Sequence, residues 1–218
     1  MKKNRIVIID YGMGNGGSVA GVLDYLGGNH SVSSDKSDII AADAVILPGV
    51  GAFGADMENL RKLGLLDVLS AEVLKNKKPF FGICLGMQLL AQDSIEQGFH
   101  KGFGWIDGHV LAMKPRDLFR VPHVGWNNVH FKQDNPFFGR ISEEAHFYFD
   151  HSYHLSCEQE VVVATCDYGE RYVAAIQKKN IFATQFHPEK SQRNGLRILR
   201  NFLNFVKERN ISEAQAQC

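Results

Sequence analysis

Three short apolar runs, each closed by a turn and followed by a helical pattern, constrain this chain more than any other feature. "RIVIID" ends at Asp10, "ADAVILPGVG" is cut off by Pro48, and "KPFFGICLG" bends between Gly82 and Gly86. Strands without polar alternation are buried on both faces. After the first run, Val19, Val22, Leu23 and Leu26 recur at helical spacing until Gly27-Gly28 stops them. Met57 to Leu74 reads as helical, and "LGMQLLAQ" opens another helix. This alternation predicts an α/β fold: a mostly parallel central sheet with helices on both faces.

The second half changes character. From Trp105 to Phe186, "HVLAM", "NNVHF", "HFYFD", "EVVVATC", "YVAAIQ" and "IFATQF" read as short strands, with "QKKNIF" as a hairpin corner. They predict an antiparallel annex. Leu196, Leu199, Leu203 and Val206 mark a closing helix. No linker or repeat divides the chain, so residues 1–210 read as one domain, and 211–218 as a short polar tail that frays.

Charge narrows the partners. Lys plus Arg is 24 and Asp plus Glu is 24, so neither nucleic acid nor an anionic membrane is indicated. No stretch approaches the ~20 apolar residues of a membrane span. The run before Asp10 is too short for a signal-peptide core, and Cys84, Cys157, Cys166 and Cys218 show no C-x-x-C spacing. The expected setting is the cytoplasm, with reduced thiols.

A strand entering Gly-x-Cys-x-Gly and leaving into a helix is a nucleophile elbow with sulfur in place of a hydroxyl. Gly82 and Gly86 clear the close approach of strand and helix, and the helix start favours a thiolate at Cys84. A buried cysteine beside loop glycines has the same local sequence. A thiol nucleophile needs a base and a group to orient it. Among nine histidines, His187 stands out in "IFATQFHPEKS": it follows an apolar strand, Pro188 stiffens the turn, and Glu189 can fold back to the imidazole. A surface histidine in a turn is the alternative. "LPGVGAFG" can aim backbone N–H groups at an oxyanion, complementing the N–H of Leu85, or be an ordinary strand-to-helix turn.

G-I-C-L-G, P-G-V-G and H-P-E-K-S, in this order, resemble the class I (triad) glutamine amidotransferases. "IDYGMGN", "GICLGMQLL", "VPHVGWN", "FYFDHSYH" and "QFHPEKS" are similar to the glutaminase subunits of imidazole glycerol phosphate synthase, from about residue 5 to 206. The resemblance implies the class I amidotransferase fold and hydrolysis of L-glutamine, with neither metal nor cofactor. Cys84 would attack the side-chain amide, His187 would move the proton, and Glu189 would orient the imidazole. The oxyanion hole falls to the backbone of Val50, Gly51 and Leu85, where the Pro48–Gly51 loop turns a peptide to complete it. Gly49, Gln88, Ser152 and Tyr153 match glutamine-binding positions. Ammonia would pass to a cyclase-type (β/α)8 barrel, as a heterodimer making imidazole glycerol phosphate in histidine biosynthesis. Asn15, Trp126, Tyr148 and Lys190 match interface or gating positions. By residue type alone, Trp126 reads as core, Tyr148 as a buried strand residue and Lys190 as a solvated charge.

Other signals compete. Gly12, Gly14 and Gly17 satisfy G-x-G-x-x-G with Asp35 about 20 residues on, a dinucleotide pattern. The resemblance argues against that reading, and Gly16-Gly17 would loosen the loop. His146, His151 and His154 have ligand-like spacing, but 151 and 154 on one strand would face opposite ways. His123 reads as a structural or interface histidine, and Cys157 and Cys166 as buried or half-buried. Asp150 stands where the family has an apolar residue, which places a carboxylate near the glutamine loop or the interface. "GFHKGFGWIDG" also departs from the histidine-pathway pattern. The alternatives are a paralogous glutaminase amidating or amidinating a surface sugar, a free-standing γ-glutamyl hydrolase or cysteine peptidase, and a catalytically silent regulatory subunit.

Overall fold

The computed structural model describes residues 4–116, 118–132, 135, 138, 141–142 and 144–216. The first half runs β1 (Arg5–Ile9), α1 (Gly16–Tyr25), β2 (Asn29–Ser33), α2 (Lys36–Ala41), β3 (Ala44–Gly49), α3 (Phe53–Lys62), α4 (Leu65–Ser70), a π-helical turn (Ala71–Lys75), β4 (Phe80–Cys84) and α5 (Leu85–Gln88). The second half holds β5 (Asp93–Ser94), β6 (His100–Lys101), β7 (Gly108–Ala112), β8 (His123–Asn128), β9 (His130–Phe131), β10 (His146–His151), β11 (Tyr153–Cys157), β12 (Val162–Tyr168), β13 (Glu170–Lys178) and β14 (Ile181–Thr184). A 3₁₀ turn (Pro188–Lys190) and α6 (Gln192–Ala216) close the chain.

The central sheet has eight strands in the order β2-β1-β3-β4-β14-β13-β12-β9. Pairing is parallel from β2 through β14 and antiparallel from there to β9. Two smaller sheets, β10-β8 and β11-β7-β5-β6, complete the second half; they are antiparallel except for the parallel β5–β7 pair. Alternate residues of β1 enter opposite cores: Ile6 and Ile8 pack with α1 and α6, Val7 and Ile9 with α3 and α4. This two-sided burial is why the first strands read as unbroken apolar runs.

Several boundaries differ from the sequence expectation. The Met57–Leu74 helix is broken at Gly64, whose φ of +64° suits glycine and ends the α-helical path. The helix after Cys84 stops at Gln88 because the next carbonyls are taken elsewhere. Leu89 O accepts from Phe103 N, Leu90 O from Trp105 N and Ala91 O from Gly104 N. The "NNVHF" strand is divided between β8 and β9, and β2, β5, β6 and β11 carry too little apolar pattern to be predicted. Helix α6 runs to Ala216, through most of the stretch expected to fray, while residues 217–218 lie outside the described residues. No helix among the described residues is long and apolar enough to cross a membrane.

Candidate active site

Strand β4 is buried along its length and delivers Cys84 to the carboxyl edge of the parallel strands, where open α/β sheets bind ligands. Cys84 takes φ 54° and ψ −111°, a backbone conformation rare outside glycine. Its glycine neighbours make room. A Cβ on Gly82 would lie 2.7 Å from Gly86 O, and one on Gly86 would collide with the Leu47 carbonyl. Gly49 of β3 is the register partner of Cys84, so the Pro48–Gly51 loop leaves the sheet beside the sulfur.

His187 reaches the same edge just beyond β14. Its Nδ1 lies 2.8 Å from Glu189 Oε1, and since a carboxylate only accepts, Nδ1 carries the hydrogen and Nε2 faces away from Glu189. The 3₁₀ turn at Pro188 folds Glu189 back as its spacing predicts. Asn15 Nδ2 donates to the same carboxylate oxygen at 3.1 Å. Burial pulls the His187 imidazole down, but its hydrogen bonds to Cys84 and Glu189 and their charges outweigh burial and hold it at about 10. These neighbours favour the protonated imidazole over the neutral one.

Two residues overlooked in the sequence, Gln185 and Glu96, belong to the site, and Gln185 joins the sulfur to Gln88. Gln185 Nε2 donates to Cys84 Sγ at 3.7 Å, and Gln185 Oε1 accepts from Gln88 Nε2 at 2.9 Å. Gln88 Nε2 also donates to Tyr153 O at 2.8 Å, so both its amide hydrogens are used and its carbonyl oxygen remains for a ligand. Glu96, on the loop joining β5 and β6, accepts from Phe53 N at 2.8 Å through one carboxylate oxygen. Gln185 sits inside the quoted "ATQFHPEKS" stretch. Glu96 has no local signal.

These groups surround a cavity of about 540 Å³, the size of a small-molecule site. Val50, Gly51, Cys84, Leu85 and His187 line it together with Gln88, Glu96, Asp150, His151, Ser152 and Tyr153. Gly49 lies beneath and does not line it; a Cβ there would be 2.7 Å from Gly86 N, so close packing requires glycine at this position. Asp150 stands at the mouth with an exposed side chain, and its backbone carbonyl lies 3.8 Å from Cys84 Sγ. Cys157 and Cys166 lie elsewhere, and burial pushes their thiols up to about 11 and about 12.

A family model for class-I glutamine amidotransferases matches residues 7–205. The chain belongs to the class-I glutamine amidotransferase family. Imidazole glycerol phosphate synthase subunit HisH 2 of Vibrio vulnificus (strain YJ016) is 45% identical to this amidotransferase over 213 residues, covering 97% of this chain and 100% of that protein. HisH 2 of Pseudomonas aeruginosa is 43% identical over 202 residues, covering 92% and 100%. The solved structure of PurLQS from Thermotoga maritima shares the fold with a TM-score of 0.71 at 20% identity, covering 94% of this chain and 100% of that one.

The positions matched to a partner interface fall into two places on this amidotransferase. Trp126 and Tyr148 are register partners on β8 and β10, with ring centroids 6.2 Å apart, and Lys190 Nζ lies 5.4 Å from the Tyr148 ring centroid. Trp126 is 49% exposed, which corrects the core reading of its residue type. The cluster is tied to the base: His187 N donates to Tyr148 O at 2.9 Å, and Ser191 Oγ bridges His187 O (2.6 Å) and Tyr148 N (3.0 Å). Asn15 is instead half-buried against Glu189.

The competing signals resolve differently. Gly14 packs on the Pro48 carbonyl, Asp35 caps α2 by accepting from Ser37 N at 2.7 Å, and Gly16-Gly17 form the first turn of α1, not a loosened loop. His146 is exposed, His151 buried and His154 on the next strand. Among the described residues, no His, Cys, Asp and Glu group is arranged to hold a metal ion. His123 is buried, stacked on Tyr168 and Phe149 at centroid distances of 3.9 and 4.7 Å. Its Nδ1 lies 3.1 Å from His151 Nε2, and His151 Nδ1 donates to Tyr153 O at 2.8 Å.

Proposed function

We propose that this chain is the glutaminase subunit that hydrolyses L-glutamine to glutamate and ammonia for imidazole glycerol phosphate synthase in histidine biosynthesis. One observation carries the reading: Cys84 and His187 line a single cavity together with Gln88 and Glu96, and Glu189 holds His187 Nδ1 from behind at 2.8 Å. Relatives matched along their whole length bear that synthase's name.

Glutamine enters with its side-chain amide toward Cys84. The Tyr153 carbonyl already accepts from Gln88 and His151, so the α-ammonium falls to Gln88 Oε1, Glu96 and the Ser152 carbonyl, which accepts from Met113 N and has a lone pair left. The sulfur attacks the amide carbon, and the carbonyl electron pair moves to oxygen, where the N–H groups of Leu85 and of Val50 or Gly51 receive it. His187 gives its proton to the nitrogen, the C–N bond breaks, and ammonia leaves behind a γ-glutamyl thioester. Water then attacks that carbonyl while His187 takes its proton; the C–S bond breaks and glutamate departs. Glu189, steadied by Asn15, holds the imidazole in the tautomer both halves need.

The Trp126–Tyr148–Lys190 face receives the cyclase-type (β/α)8 barrel, which takes the ammonia. A reducing, cytoplasmic setting suits the catalytic thiol.

The test combines labelling with kinetics. An electrophilic glutamine analogue labels Cys84, and Cys84→Ala abolishes glutamine hydrolysis while the complex still uses added ammonia. Label on Cys157 or Cys166 with Cys84 untouched overturns the assignment. Steady-state hydrolysis by the chain alone is slow and rises in turnover when the barrel and its acceptor ligand are added. A lone chain already running at the complex's rate is a free-standing hydrolase.

A further inference from the structure

Two buried side chains beneath the oxyanion loop have no place in this mechanism so far. Tyr11 follows β1 and is 2% exposed; Asp56 lies in α3 and is fully buried. Tyr11 Oη is 2.8 Å from Pro48 O and 2.6 Å from Asp56 Oδ2. A phenol has one proton, so it cannot serve both acceptors. An ionised Asp56 would take it, because a charged acceptor binds more strongly. The Pro48 carbonyl would then face the phenol oxygen 2.8 Å away with no hydrogen between them.

A protonated Asp56 removes the conflict. Its Oδ2–H donates to Tyr11, and Tyr11 donates to Pro48 O. The remaining oxygen, Oδ1, is buried without a hydrogen-bond partner among the described residues, which costs far less for a neutral acid than for a carboxylate. The surroundings favour the neutral form. Glu96 faces Asp56 from the β5–β6 loop, Cys84 lies beyond Tyr11, and the ring of His100 on β6 packs over Gly54. Asp67 of α4 points to solvent. Burial, and secondarily the Glu96 charge, push the Asp56 carboxyl up to about 7 against the downward pull of the Tyr11 hydrogen bond.

We infer that Asp56 is a positioning residue for glutamine hydrolysis: as a buried neutral acid it donates through Tyr11 to the Pro48 carbonyl and holds the Pro48–Gly51 loop against Cys84, and its ionisation frees that loop. The inference rests on the glutaminase reading. The distance from Asp56 Oδ1 to a Cβ built on Gly51 is 3.7 Å, so the carboxyl lies directly under the part of the loop that forms the hole.

The experiment compares the wild type, Asp56→Asn, Asp56→Ala and Tyr11→Phe in two measurements on the full chain. In the first, the kcat and KM of glutamine hydrolysis are followed from about pH 6 to about pH 8.5, across the Asp56 transition. Wild-type kcat falls about ten-fold with KM unchanged, a step too low in pH to belong to His187. Asp56→Asn, whose amide still donates to Tyr11, loses the step; Asp56→Ala and Tyr11→Phe are slow throughout. In the second, infrared difference spectra between those pH values show a carboxylic-acid C=O band that vanishes in Asp56→Asn and persists in Tyr11→Phe. A step that survives in Asp56→Asn, or an acid band unchanged by that substitution, overturns the inference. The infrared result does not require turnover, so loss of the glutaminase reading and loss of this inference are separately visible.

Discussion

Gly49 and Cys84 stand opposite each other as register partners on β3 and β4. The pairing ties the Pro48–Gly51 loop, the proposed oxyanion hole, and Cys84 to one sheet, and the contact is tight. A Cβ at Gly49 would lie 2.7 Å from Gly86 N and 2.9 Å from Leu85 Cβ. Gly49→Ala should therefore cost about 1–3 kcal/mol through overpacking. It should also displace the Leu85 N–H. Thermal denaturation reads the first effect and the rate of Cys84 labelling the second. Unchanged labelling would show that the loop tolerates movement against the elbow.

In the proposed mechanism His187 gives and takes the proton in both halves of the reaction, and acid–base catalysis of this kind is commonly worth ~10²–10⁴ in rate. His187→Ala should lose that much in kcat. Glu189→Gln should lose less, because the imidazole stays but its orientation weakens. Asn15→Ala should lose less again, since it contributes one of the hydrogen bonds to Glu189 Oε1. Near-native turnover in His187→Ala would mean another histidine is the base.

Asp150 and Lys190 lie around Tyr148 on the face proposed to receive the partner. Asp150 shares the exposed side of β10 with Tyr148 and pairs across with Val124. Asp150→Val should leave labelling of the isolated chain intact and change partner affinity or activation. Lys190→Ala should weaken activation without altering the melting temperature. If Asp150→Val instead blocks labelling in a folded chain that still binds its partner, the carboxylate shapes the glutamine cavity.

The His123–His151 pair makes the fold sensitive to acid. Burial lowers His123 from 6.5 to about 4 and His151 from 6.5 to about 3. Both are neutral when folded, while the unfolded chain binds protons at higher pH. Their contribution is present above about pH 6.5 and is lost as the pH falls toward the folded values. His123→Phe keeps the stacking on Tyr168 and Phe149 but removes one of these groups. Melting temperature plotted against pH should then decline less steeply on the acid side. An unchanged slope would assign the acid loss to other groups.

Much of this protein was legible in its sequence because the signals were local. An apolar run buried on both faces needs no knowledge of its neighbours, so β1, β3 and β4 could be read directly. Gly82 and Gly86 around Cys84, and Pro188 between His187 and Glu189, carry their geometry within a few residues. Only tertiary structure could decide the rest. Gln88 and Gln185 meet across 97 positions, and Tyr11 and Asp56 across 45, with no pattern in either stretch to announce the contact. Strands β5 and β6 have two residues each, too short for periodicity to show, yet the loop between them brings Glu96 to the cavity. The half-exposure of Trp126 depends on β8 and β10 forming a sheet of their own, which buries Phe147 and Phe149 on one face and leaves the other outward. Backbone turns and buried runs are set by the residues that form them, whereas hydrogen-bond partners and protonation states are set by whatever the completed fold places beside them.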